Sequence, residues 1–235
     1  MLDKNKLSFR PTSWWRWSGV NLKKEKIMNI KNAKFLKSES GVTKNYTGFS
    51  VPEIAIVGKS NVGKSSFINM LANQKKLAKT SATPGRTRLV NYFMFNNDFV
   101  LVDLPGYGFA KASKSEQGKW EEMITSYFAE SEYLAGIIML VDVRHEPTEK
   151  DEMMFRYLYS YNIPVIIIAT KQDKIKRSEM PRKIMDIAAK LKVAKENIFL
   201  VSNETHYGKD KVLSKIEQLL NGFKQGGSES EDICD

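Results

Sequence analysis

The residues with the clearest chemistry are Gly58-Lys59-Ser60-Asn61-Val62-Gly63-Lys64-Ser65, which follow an apolar run and precede a helical pattern. Their spacing is G-x-x-x-x-G-K-[ST]. The glycines let the chain wrap a phosphate with its backbone N–H groups turned inward. The helix that follows points its positive end at the same anion. Lys64 reaches the β- and γ-phosphates as an electrophile, and the Ser65 hydroxyl ligates Mg2+. The loop alone does not choose between ATP and GTP, because nucleotide kinases and ATPases share it.

Four weaker patterns follow in order. Asp103-Leu104-Pro105-Gly106 reads D-x-x-G at a strand end. Asp103 would hold Mg2+ through a water, and the Gly106 N–H would contact the γ-phosphate, so loss of that phosphate would release the segment. Thr170-Lys171-Gln172-Asp173 is close to N-K-x-D, with Thr in place of Asn. The Asp173 carboxylate can accept from N1–H and the 2-amino group of guanine; adenine offers no such pair. The stem of Lys171 can cover the base. Val201-Ser202-Asn203 ends the last strand and offers N–H groups and a hydroxyl to the guanine O6. Between the first helix and the next strands lie Thr83-Pro84-Gly85-Arg86-Thr87-Arg88. A Thr here completes the Mg2+ shell in the triphosphate state. Thr83 and Thr87 are both candidates; Thr87 is favoured because Gly85 frees the backbone to fold over the nucleotide.

These loops need elements to hold them. Strands are expected at Glu53–Val57, Leu89–Phe95, Phe99–Asp103, Gly136–Asp142, Val165–Thr170 and Ile198–Val201. Helices are expected at Lys64–Leu71, Ser115–Ala129, Thr148–Tyr159, Glu179–Leu191 and Lys209–Phe223. Asn96, Asn97 and Asp98 mark a hairpin. The alternation predicts an α/β fold of the P-loop, Ras-like kind: a doubly wound, mostly parallel sheet with one antiparallel edge strand. Each motif then falls at the carboxyl end of a strand, where open α/β sheets bind ligands. That joint arrangement points to GTP.

The same segments, with Tyr107 and Gly108 after Gly106, resemble the EngB family (also called YsxC or YihA) of bacterial ribosome-biogenesis GTPases, within the TrmE-Era-EngA-EngB-Septin group. The likeness runs from about Asn29 to Asn221 and includes Ser202, Glu204, Thr205 and Gly208. It implies a monomeric Ras-like domain, Mg2+-dependent GTP binding and weak intrinsic hydrolysis. It further implies cytoplasmic action on a precursor of the large ribosomal subunit and its rRNA, needed for normal growth and division or septation. By motif match, Gly58 to Ser65 bind phosphate, Ser65 and Thr87 hold the metal, and Gly85, Arg86, Thr87, Arg88 and Leu89 line the nucleotide. Asp103 to Gly106, Thr170 to Asp173 and Val201 to Asn203 complete the pocket.

Tyr107 stands where many small GTPases carry a water-orienting Gln. No residue is therefore assigned as the catalytic one, and hydrolysis is expected to be slow without a partner. An arginine from the partner, Arg86 or Arg88, or a K+ ion held near Asn61, could supply the missing positive charge.

The chain has 235 residues, enough for one such domain with tails. Its net charge of +10 predicts a polyanionic partner: RNA, DNA or an anionic membrane surface. A single cysteine, Cys234, excludes a disulfide framework. No run is long enough to span a membrane. Residues 1–28 read as a flexible extension, an upstream start or a transit peptide, 29–224 as the GTPase domain, and 225–235 as a disordered acidic tail. The extension holds Trp14, Trp15 and Trp17 but no apolar stretch of signal-peptide type.

Overall fold

The computed structural model describes residues 28–40, 50–79, 89–108 and 114–228. Seven strands form one sheet: β1 (Ala33–Glu39), β2 (Glu53–Gly58), β3 (Val90–Phe95), β4 (Phe99–Asp103), β5 (Leu134–Asp142), β6 (Val165–Thr170) and β7 (Ile198–Leu200). Five α-helices accompany it: α1 (Lys64–Ala72), α2 (Lys114–Glu130), α3 (Glu149–Tyr159), α4 (Met180–Leu191) and α5 (Lys209–Ser228). The strand order is β1-β3-β4-β2-β5-β6-β7. Pairs β2–β4, β2–β5, β5–β6 and β6–β7 are parallel, whereas β3 runs antiparallel to β4 and β1.

The sheet sorts its side chains by the two-residue period of a strand. Ile54, Ile56, Ile138, Leu140, Ile166 and Ile168 pack with Phe67, Leu71, Val212 and Ile216 of α1 and α5. Ala55, Val57, Ile137, Met139, Ile167 and Ala169 face Ile124, Phe155, Leu158 and Ile187 of α2, α3 and α4. Strands covered on both faces explain the near-continuous apolar runs.

The antiparallel edge is one strand wider than the sequence indicated. β1 adds itself outside β3. Its segment AKFLKSE has no β-branched residue, and its burial is irregular. Its placement comes from outside the segment, where context overrides propensity. The hairpin turn carries Asn96 and Asn97 at φ +52° and +59°. Asn96 Oδ1 accepts the N–H of Lys31 at 2.8 Å, and its amide donates to the Asn29 carbonyl at 2.8 Å. The turn thus fixes where the incoming chain joins the sheet. Met28, counted with the extension in the sequence, packs against the core. At the other end α5 runs on to Ser228, past the Gln225 at which the tail was expected to begin, although Gly226 and Gly227 weaken helix. Among the described residues no helix is long and apolar enough to cross a membrane.

Candidate functional site

Strand β2 lies inside the sheet, with β4 on one side and β5 on the other. The strand order reverses at β2, which opens a crevice at its carboxyl end. Gly58 to Gly63 fill that crevice. A Cβ on Gly58 would lie 2.8 Å from Val62 Cγ1 and 3.1 Å from the Leu140 carbonyl, so only glycine lets the loop fold back there. Within the loop Val62 N–H donates to the Lys59 carbonyl at 3.1 Å, and Asn61 takes φ +62°. Gly63 caps α1 at φ +108°. No acidic residue occupies the first turn of α1, so its positive end is left for an external anion.

The D-x-x-G segment lies directly against this loop. Leu104 N–H donates to the Ile56 carbonyl at 3.1 Å, and Tyr107 N–H to the Gly58 carbonyl at 3.3 Å. Ser60 returns its own N–H to the Tyr107 carbonyl at 3.1 Å. A Cβ on Gly106 would lie 3.0 Å from Lys64 Nζ and 3.2 Å from Ser60 N, so Gly106 sits where an anion bound by Lys64 would be felt. Asp103 is 4% exposed and Leu104 is fully buried. Burial pushes the Asp103 carboxyl above the usual carboxylate range, against the pull of Lys64 and of the Asn91 amide at 3.4 Å. Its Oδ1 is buried without a hydrogen-bond partner. A buried carboxylate with one orphaned oxygen, together with a hydroxyl offered by Ser65 in the first turn of α1, is an all-oxygen donor set that fits Mg2+.

Tyr107 turns away from this site. Its hydroxyl donates to Asp151 Oδ1 at 2.7 Å, deep against α3, and its ring meets Trp120 edge-on. The other Asp151 oxygen accepts from the Thr148 N–H and hydroxyl at 2.6 Å, capping α3. Trp120 Nε1 donates to the Pro105 carbonyl at 2.9 Å. The side chain after Gly106 is thus an anchor in the core and does not reach the phosphate loop.

The side expected to meet the base is built from β6 and β7. Thr170 is fully buried, and its hydroxyl reaches the Val62 carbonyl at 2.8 Å and the Val141 carbonyl at 3.1 Å. The departure from Asn therefore keeps a polar tie between this turn and the phosphate loop. Gln172 N–H donates to the Val201 carbonyl at 3.0 Å, joining the β6 and β7 loops. The Ser202 hydroxyl donates to Asp173 Oδ1 at 2.7 Å and accepts the Thr205 N–H at 3.1 Å. Burial alone would raise Asp173, but Ser202 and the Lys174 ammonium at 3.0 Å from Oδ2 hold its carboxyl below the usual range. Asn203 reaches the Gly63 carbonyl at 3.4 Å. Lys171, at φ +65°, spans the gap: its Nζ donates to the Asn61 carbonyl at 3.0 Å and to Asp142 Oδ2 at 2.8 Å.

The structure thus brings together Gly58 to Ser65, Asp103 to Gly106, Thr170 to Asp173 and Val201 to Asn203. Leu89 is described and exposed, ahead of β3. Gly85, Arg86, Thr87 and Arg88, with the alternative Thr83, lie outside the described residues. Two side chains of the site were not singled out by sequence: Asn91, paired across the hairpin with Asp103, and Asp142. Asp142 ends a buried strand beside the phosphate loop, and that position was its signal.

A Ras-like sheet with a phosphate loop at its switch point and a half-buried Asp173 in the turn after β6 defines a P-loop GTPase. Residues 53–171 match the 50S ribosome-binding GTPase family model. The chain is 47% identical over 195 residues to the probable GTP-binding protein EngB of Clostridium acetobutylicum, covering 83% of this chain and 97% of that one. It is 46% identical over 190 residues to the EngB of Pelotomaculum thermopropionicum, covering 80% and 96%. The chain belongs to the EngB family of GTP-binding proteins and is a GTP hydrolase by that membership. Its fold superposes on the crystal structure of a probable GTP-binding protein engB with TM-score 0.60 at 20% identity, covering 72% of this chain and 99% of that one. An Era variant from Aquifex aeolicus bound to GDP.AlF4- gives TM-score 0.55 at 26% identity, covering 73% and 57%.

Proposed function

We propose that this protein is a cytoplasmic, monomeric GTP switch that docks on a precursor of the large ribosomal subunit and its rRNA and leaves it after hydrolysis, supporting normal growth and division. The observation that carries this reading is the linkage of base loop to phosphate loop through Thr170 and Lys171, with Asp173 set beside them. The backbone N–H groups of Gly58 to Ser65 and the Lys64 ammonium bind the phosphates. Asp173 accepts from the guanine N1–H and 2-amino groups, the stem of Lys171 covers the ring, and Val201 to Asn203 face O6. Ser65 and Thr87 would hold Mg2+, with Asp103 acting through a water; the ion would offset phosphate charge when bound. Gly106 N–H reads the γ-phosphate, and Gly85 to Leu89 line the nucleotide.

Intrinsic hydrolysis is slow because Tyr107, which follows Gly106, is committed to Asp151 and so does not orient water. A docked partner raises the rate, through an arginine or a cation near Asn61. The net charge of +10 supports docking on RNA, and the matched family is described as ribosome-binding.

Single-turnover hydrolysis and co-sedimentation with large-subunit precursor particles test this reading. Particles should raise the rate by at least about tenfold, the scale of one added transition-state contact. The GTP form should sediment with them and the GDP form should not, with binding falling steeply as salt rises. Association independent of both nucleotide and salt would sink it.

A further inference from the structure

Asp142 lies at the carboxyl end of β5, where none of the recognised GTP-binding motifs falls. Its carboxylate is only partly exposed, and two cations meet on it. Lys171 Nζ lies 2.8 Å from Oδ2. The guanidinium of Arg144 grips both oxygens, with Nε at 2.9 Å from Oδ1 and Nη2 at 2.8 Å from Oδ2. The backbone N–H of Arg144 adds a further bond to Oδ1 at 3.1 Å. Burial alone would raise the Asp142 carboxyl, but the hydrogen bonds of Arg144 and Lys171 hold it far below the usual carboxylate range. It is therefore a fixed anion at neutral pH.

Lys171 has a demanding position. Its backbone is in the left-handed region, which a lysine adopts at a cost. Its long stem has many rotamers, and the one it adopts lays it across the gap from the turn after β6 to the Asn61 carbonyl. The Asn61 carbonyl alone is a neutral acceptor on an exposed residue. Asp142 supplies the charged acceptor that selects this rotamer. Arg144 is anchored in its own right by Lys183, whose Nζ donates to the Arg144 carbonyl at 3.2 Å.

We propose that Asp142 is a positioning residue for guanine-nucleotide binding: it holds the Lys171 ammonium against the phosphate loop, so that the lysine stem is set over the base before nucleotide arrives. Arg144 is the outer clasp that keeps the carboxylate aimed at Lys171. The inference rests on the reading of Thr170 to Asp173 as the base site.

The test is a double-mutant cycle read by the release rate of a fluorescent GDP analogue from the full chain. Asp142→Asn should speed release about tenfold, the scale of a lost charge-assisted hydrogen bond. Arg144→Ala should speed it by about two- to threefold, as loosening of an exposed clasp would. In a Lys171→Ala background, Asp142→Asn should change release by less than about twofold, because the two side chains act as one unit. A residue that merely stabilised β5 would give the same increment in both backgrounds, and that result would overturn the proposal. So would unchanged release in Asp142→Asn. Should Asp142→Asn fail to fold, Arg144→Ala in both Lys171 backgrounds gives the same comparison. Preference of the wild type for GDP over ADP is measured alongside. If that preference is absent, the base-site reading falls and takes this inference with it; if it is present and Asp142→Asn is silent, only this inference falls.

Discussion

Asp173→Asn should convert the protein from a guanosine- to a xanthosine-nucleotide-binding protein. The Asp173 carboxylate is held by the Ser202 hydroxyl at Oδ1, leaving acceptor capacity for the base. Guanine presents two donors, N1–H and the 2-amino group, to that acceptor. An asparagine keeps its carbonyl on Ser202 and turns an NH2 group outward, facing the guanine amino group donor to donor. Xanthine has an oxygen there and fits. A site built to hydrogen-bond a particular group rejects its mismatch by about 10^4–10^5-fold in the best cases. A swing of at least about a hundredfold in the GDP-to-XDP affinity ratio is the expected result, since two charge-assisted bonds are at stake. Competition of the two diphosphates against a labelled nucleotide measures it. Because the change is nearly isosteric, the thermal midpoint without nucleotide should move little. Unchanged GDP preference would remove Asp173 from base recognition.

Gly208→Ala should be the most damaging single-methyl change in the carboxyl-terminal half. Gly208 has φ +78°, and a Cβ there would stand 2.1 Å from the carbonyl oxygen of Leu200. That atom belongs to β7, so the clash falls on backbone and no side-chain rotation relieves it. The left-handed conformation adds about 1–2 kcal/mol, and backbone displacement of a packed strand adds more. A loss of at least about 3 kcal/mol is expected, which for a chain of this size lowers the melting midpoint by about 6–12 °C. Val201 to Asn203 follow the displaced carbonyl, and Ser202 N–H is bonded to the Tyr207 carbonyl at 3.1 Å. Guanine affinity should therefore fall along with stability. Gly222→Ala is the control. Gly222 lies in α5 with nothing within 4 Å of its would-be Cβ, so alanine there should raise stability by up to about 1 kcal/mol. Thermal melts of the two variants should move in opposite directions.

Most of the sheet was legible because its strands are buried on both faces, so that apolar runs of strand length mark them. The hairpin was legible from Asn96 and Asn97, whose side chains tolerate the positive φ they adopt. Strand β1 was not legible, since its segment alternates poorly and is fixed by the Asn96 side chain far along the chain. The loops at strand ends could be found by motif, but what holds them could not. Thr170 read as a departure until its hydroxyl was seen on the Val62 carbonyl. Tyr107 was legible as a missing glutamine, but its bond to Asp151 was not, because nothing local ties residues so far apart in the sequence. Asp142 had its strand-end position as a signal, but its partner Lys171 lies 29 residues along the chain, and that contact was not legible.

Calorimetric titration of the purified chain with GDP, GTP and ATP in Mg2+ tests the central claim most directly. The account predicts one-to-one binding of GDP and GTP, with ATP weaker by at least about a thousandfold, as a site built to hydrogen-bond one base would impose. ATP bound as tightly as the guanine nucleotides, or no binding of any of the three, would contradict it.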